Sequence, residues 1–140
     1  MKQLFTLVIT FALSANMLNA QVISIAEARA MNHGDTVEIS GTITNGEELG
    51  VIRYFQDETA GIPAYDYDFG DETIRHDSIT LIGVLVDYNG LLELTPVTEY
   101  TIHGQADNEI IPLVVSPDEI GEDTEGELVQ INDAVFADGG

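Results

Sequence analysis

The period of apolar and polar positions changes several times along this chain. In residues 24–34, SIAEARAMNHG, Ile25, Ala28 and Met31 recur at threes, one face of a short helix. Ser24 precedes them and Glu27 follows three residues later, a capping box, and Gly34 supplies a stop. The period then drops to two. Val37, Ile39 and Ile43 alternate with Thr36, Glu38, Thr42 and Thr44, which predicts a strand with one buried face. Gly41 falls in its apolar phase and predicts a bulge or sharp bend. VIRYFQD and IPAYDYDF predict two more strands joined by the turn ETAG. After the polar connection GDETIRHD comes SITLIGVLVDY, a fourth strand with Gly83 at its centre. Asn89–Gly90 is a two-residue hairpin turn. LLELTPVTEYTIHG is the fifth strand, and Pro96 places it at an edge or a bulge.

Five short strands in about 70 residues, with glycine bends in the first and fourth, predict an all-β fold. The best match is a small five-stranded OB-like Greek-key barrel with a short N-terminal helix, spanning residues 21–108. The helix such barrels carry between strands three and four would have to fit in residues 68–77, and so be short or missing. A β-sandwich fragment is the competing architecture.

A weaker copy of the first helix and strand begins near residue 116. At an offset of 92, Ser24 falls on Ser116, Glu27 on Glu119 and Gly34 on Gly126. Val37, Ile39 and Ile43 fall on Val129, Ile131 and Val135. Pro117 occupies the favoured first helical position. Residues 109–140 therefore read as the start of a second similar module, truncated after one strand, in a longer multi-module protein.

The first 20 residues stand apart from this pattern. Lys2 precedes the apolar run Leu4–Leu13, too short to span a bilayer, and small and polar residues follow up to Ala20. This is the pattern of a secretory signal peptide, and the expected destination is Sec export to the cell surface or medium. Leu18 makes the cleavage site imperfect, and no cysteine follows to take a lipid. No later segment is long and apolar enough for a membrane span. The chain holds no cysteine, so core burial and backbone pairing must carry its stability.

Charge narrows the partners. Asp and Glu number 25 against 4 Lys and Arg, a formal net charge of −21. Beyond residue 20 the only such cations are Arg29, Arg53 and Arg75. Nucleic-acid affinity rests on neutralising phosphates, so this balance disfavours nucleic acid. It suits a solvated surface or a bound Ca²⁺.

The run IAEARAMNHGDTVEISGTITNGEELGVIRYFQDETAGIPAYD, followed by GVLVDYNGLLELTPV, resembles the secreted OB-fold-like modules of Bacteroidetes-type multi-domain surface and extracellular proteins. Related modules accompany extracellular nucleases and proteins with a C-terminal sorting signal. The resemblance covers roughly residues 22–104 and implies an accessory binding or spacer domain without catalytic residues of its own.

Three constellations could carry chemistry. His33, His76 and His103 are scattered, and no HExxH or GxSxG pattern occurs, so no enzyme activity is expected. Asp66, Asp68, Asp71 and Glu72, with Gly70 for a bend, are candidate Ca²⁺ ligands, although a plain polar loop reads the same way. The face of strands two and three is a common ligand surface of OB folds. There, Arg53 and Phe55 share one face of strand two, and Tyr65, Tyr67 and Phe69 share one face of strand three. Arg53, Phe55, Tyr65 and Tyr67 are the candidate ligand-binding residues. Some of these rings must instead fill the barrel. The expected role is a non-catalytic exported binding or spacer module of a larger protein, contacting protein or glycan and the downstream domains of its own polypeptide. The alternative is a nucleic-acid-binding accessory of an extracellular nuclease.

Overall fold

The computed structural model describes residues 21–107 and 109–135. The leader expected over residues 1–20 lies outside them. Helix α1 covers Ile25–Arg29, and strands β1 (Thr36–Ile43), β2 (Ile52–Gln56), β3 (Gly61–Tyr65), β4 (Asp77–Tyr88) and β5 (Leu91–Gln105) follow, with helix α2 (Tyr67–Glu72) between β3 and β4. The five strands close in the order β1-β2-β3-β5-β4. This is the OB-like Greek-key barrel, and the closure rules out a sandwich.

The glycine and proline positions explain how so short a sheet closes. β1 runs antiparallel to β4 from Thr36–Val84 to Thr42–Ser78, then pairs with β2 at Thr42 and Ile43. Gly41 sits where the strand changes partner. The β4–β5 ladder slips on either side of Gly83, where Gly83 faces Val97 and Leu85 faces Leu94. Thr98 is the extra residue on one side, and on the other Thr95 and Pro96 together face Val84, so a bulge falls at Pro96. Alternation along β4 sends Ile79, Leu81 and Leu85 inward to meet Ile39, Ile43, Phe55, Ile62 and Leu94.

Two elements depart from the periodic reading. The first helix is shorter than residues 24–34: it ends at Arg29, and Met31 is exposed rather than packed beside Ile25 and Ala28. Gly34, in the left-handed region, instead turns the chain so that its N–H donates to the Leu85 carbonyl at 2.7 Å. The third strand stops at Tyr65. Asp66 is extended and its Oδ1 accepts from the Phe69 N–H at 3.0 Å, capping α2. Tyr67 and Phe69 therefore stand on a helix, not on a strand face. The driving force is Phe69, which is fully buried and meets Tyr100 edge-on at 5.3 Å. Gly70 allows that plug to seat, because a Cβ there would overlap the Val51 carbonyl. The helix between strands three and four is short, as its ten-residue window required.

Beyond the barrel, β6 (Leu113–Val114) pairs in parallel with β7 (Val129–Gln130). Local geometry repeats here at the same offset. The Ile23 N–H donates to the Glu38 carbonyl at 3.0 Å, and the Val115 N–H to the Gln130 carbonyl at 2.9 Å. Ser24 Oγ donates to Glu27 Oε2 at 2.8 Å, and Ser116 Oγ to Glu119 Oε2 at 2.7 Å. Gly34 and Gly126 both have positive φ, 93° and 82°. The α-helical turn of the first unit is a 3₁₀ turn, Pro117–Glu119, in the second.

Candidate functional site

Strand β2 separates its residues as alternation demands: Arg53 and Phe55 point in, while Ile52, Tyr54 and Gln56 are half-buried on the other face. Phe55 is core. Arg53 is only 4 % exposed and forms no ion pair among the described residues. Its guanidinium donates to five backbone carbonyls instead. Nη1 reaches Gly50 at 2.6 Å and Gly46 and Ile52 at 3.2 Å, Nε reaches Thr73 at 3.2 Å, and Nη2 makes a short bond to Gly70. One side chain thus ties the β1–β2 loop to α2. Arg53 and Phe55 are structural, so half of the expected ligand-binding set is withdrawn.

Tyr65 and Tyr67 remain at the surface, 40 % and 66 % exposed. Their rings meet edge-on at 6.0 Å and their hydroxyls at 3.5 Å. Tyr88, 63 % exposed, closes β4 beside the Asn89–Gly90 turn. The Tyr65 phenol is held above its ordinary value first by its hydrogen bond to Tyr67, then by the Tyr67 charge and burial, with smaller contributions from Tyr88 and Glu93. The register agrees: Ala64 of β3 pairs with Leu94 of β5, next to Glu93, and Tyr88 pairs with Leu91 across the β4–β5 hairpin. Burial pushes the Glu93 carboxyl up. Tyr88 escaped the sequence reading, although an aromatic preceding an Asn-Gly turn is a signal that could have found it.

The acidic run does not converge. Asp66 caps α2, and Glu72 Oε2 accepts from the Tyr100 hydroxyl at 2.7 Å. Asp68 and Asp71 are exposed. Among the described residues no three Asp, Glu or His side chains come together to hold a metal. The run acts on Tyr100 instead: the Glu72 hydrogen bond, burial, and the charges of Glu72, Asp68 and Asp66 push that phenol up to about 12. His103 Nε2 lies 2.9 Å from Thr80 Oγ1, and no histidine joins a cluster of three metal-ligating side chains among the described residues.

The turn of QDETAG builds a clamp on α1. Asp57 Oδ2 accepts from the Ile25 N–H at 2.8 Å, and Thr59 Oγ1 accepts from the Ala26 N–H at 3.1 Å. Burial alone would raise the Asp57 carboxyl, but bonds from the Thr59 side chain and from the Ile25, Thr59 and Ala60 N–H groups hold it below its ordinary value.

The turn end of the β2–β3 ribbon is covered by the chain itself. Arg29 donates to the Gly61 carbonyl at 3.1 Å and to the Glu122 carbonyl at 3.2 Å, and pairs with Glu125 at 3.3 Å. The Leu128 N–H donates to Gln56 Oε1 at 2.8 Å. Gly61 and Gly126 meet backbone to backbone, so a Cβ on either would collide with the other. Tyr54, on the outward phase of β2, has its phenol raised by burial and by the charges of Glu125 and Glu93.

No family model and no curated protein matches the chain. Solved structures do match. Asparaginyl-tRNA synthetase from Pyrococcus horikoshii is similar with a TM-score of 0.50 and 15% identity, over 62% of this chain and 24% of that one. The hypothetical protein ygiW from E. coli is similar with a TM-score of 0.49 and 15% identity, over 59% of this chain and 89% of that one. The chain thus spans about a quarter of the synthetase. At this identity the likeness is one of fold. No helix among the described residues is long and apolar enough to cross a membrane.

Proposed function

We propose that this chain is a non-catalytic, exported binding and spacer module that contacts protein or glycan through Tyr65, Tyr67 and Tyr88. One observation carries the reading. Tyr65 and Tyr67 stand exposed in edge-on contact at 6.0 Å on a chain of net charge −21. Rings in acidic surroundings can stack on a sugar or an apolar side chain, but they repel a phosphate backbone. Arg53, the one cation expected to help a nucleic acid, is spent on carbonyls.

The second reading is a nucleic-acid accessory of an extracellular nuclease. The edge-on tyrosine pair on an OB-like barrel favours it, because base stacking tolerates any sequence. One titration separates the two. Residues 21–140 are titrated at low salt against labelled single-stranded DNA and RNA and against a panel of extracellular polysaccharides. The expected result is saccharide binding lost in the Tyr65→Ala/Tyr67→Ala double variant, with Tm unchanged and no nucleic-acid binding. Nucleic-acid binding lost in that same variant would replace the first reading with the second.

A further inference from the structure

Glu93 is a carboxylate on the outer face of the barrel, and yet it is only 5 % exposed. Its neighbours on β5, Leu92 and Leu94, pack against the core, so alternation turns Glu93 outward. Val86 of β4 stands opposite it, and the pairing of Ala64 with Leu94 sets Pro63 of β3 on its other side. Tyr54 pairs with Pro63, and Tyr65 follows Ala64 on β3. Tyr88 lies on the same phase of β4 as Val86. Glu93 thus lies low on a patch with Tyr54, Tyr65 and Tyr88 around it, and the phenols of Tyr54 and Tyr65 both feel its charge.

A carboxylate removed from water ordinarily gains donors or a cation. Asp57 accepts from the Ile25, Thr59 and Ala60 N–H groups, and the buried Asp77 accepts from the Ile74 N–H and the Gln105 amide. Glu93 forms no ion pair and accepts no hydrogen bond among the described residues, and burial alone raises its carboxyl. Nothing in the fold uses its charge.

We propose that Glu93 and the rings of Tyr54, Tyr65 and Tyr88 form a site for an ammonium group, supplied by a lysine side chain of a protein partner. This rests on the reading of the tyrosine face as the contact surface and names what that face recognises. Ring faces attract a cation, and a desolvated carboxylate adds a full opposing charge. The net charge of −21 draws cationic segments towards the chain. The reach required selects lysine. Its slim stem carries a compact ammonium down to a carboxylate that is 95 % covered, whereas a guanidinium is broad and planar, and the ammonium of an amino sugar is fixed to a bulky ring.

The test titrates the isotope-labelled full chain with the end-blocked peptide Gly-Gly-Lys-Gly-Gly and follows amide and tyrosine ring shifts. Saturable shifts are expected at Tyr65, Tyr88 and Glu93, with a dissociation constant of roughly millimolar for so small a probe. Glu93→Gln keeps the shape, removes the charge and should weaken binding about tenfold. Glu58→Gln removes an equal charge from an exposed acid elsewhere and should leave binding unchanged. Acetylation of the lysine Nζ should abolish it. Glu93→Gln should also leave the melting temperature the same or higher, because no partner is stranded. Equal weakening by Glu93→Gln and Glu58→Gln overturns the proposal, since the attraction would then be that of the whole chain. A lower melting temperature in Glu93→Gln overturns it too, by making the carboxylate a structural group. Tighter binding of a glucosamine oligosaccharide, lost in Glu93→Gln, replaces the protein partner with a glycan. The tyrosine-face reading fails differently: neither peptide nor saccharide binding would then respond to Tyr65→Ala. Peptide binding that Tyr65→Ala weakens and Glu93→Gln spares sinks the ammonium site alone.

Discussion

Residues 23–43 and residues 115–135 form the same cap, the same parallel bridge and the same left-handed glycine, yet end in opposite states of burial. The cap joins residues three apart and the bridge joins residues within the same short segment, so each unit makes them from its own sequence. Burial is supplied from elsewhere: by β4 along one edge, by β2 at the far end, and by the Asp57–Thr59 turn over the helix start. Pro117 occupies the place of Ile25 and has no N–H to offer such a clamp. The first unit is tied to the β2–β3 turn by the Ile25 and Ala26 N–H groups, and Pro117 leaves the second without the first of these donors.

The sharpest way to break the comparison is to truncate matched positions. Ile39→Ala should cost about 3–4 kcal/mol in denaturant unfolding, as for a fully buried branched side chain. Ile131→Ala should cost under about 1 kcal/mol by the same measurement. Equal losses would mean that the two strands are covered alike. Next in size is Arg53→Met, which strands five carbonyls and should cost about 3 kcal/mol, read as a fall in urea midpoint. Arg53→Lys should recover only part of this, because an ammonium cannot span the same fork.

Asp57→Ala should cost about 1–2 kcal/mol at neutral pH by removing the bonds to Ile25, Thr59 and Ala60. Its pH dependence has a definite sign. The folded carboxyl lies below its ordinary value of 3.8, so the contribution is present above that pH. It is lost as pH falls through the folded value, so the gap between wild type and Asp57→Ala should close in acid melts. The smallest contrast is in the caps. Ser24→Ala should cost about 1 kcal/mol of global stability, whereas Ser116→Ala should leave the global melt within about 1 °C and quicken only local exchange near Glu119.

How far these features can be read beforehand depends on their range. The strands were legible because Val37, Ile39 and Ile79 to Leu85 keep a period of two, and the bends because Gly41, Gly83 and Pro96 break it. The capping boxes were legible because serine and glutamate stand three apart. Tyr65, Tyr67 and Phe69 misled for the same reason, since their spacing of two fits a strand equally well. What decided against it was Asp66 as a cap and the need of the barrel end for Phe69, a long-range demand with no local mark. Arg53 was placed on the right side of its strand, beside Phe55. Its partners, though, are carbonyls of Gly46, Gly50, Gly70 and Thr73, groups that every residue carries and that no composition betrays. Of the candidate site, the tyrosine pair was visible and its exposure was not. The acidic run was visible, and only the fold shows that it divides between capping α2 and holding Tyr100.

The Arg53 fork has a consequence for endurance. A tie between a guanidinium and a carboxylate slackens when acid protonates the carboxylate, and a disulfide opens under a reductant. Backbone carbonyls have no proton to gain in that range and no electrons to accept. In a chain without cysteine, the join between the β1–β2 loop and α2 is therefore indifferent to acidity and to redox state alike. Within this barrel, the fastening that holds the loops is unresponsive to such a change of medium, while the Asp57 clamp just past the end of the same strand answers to pH.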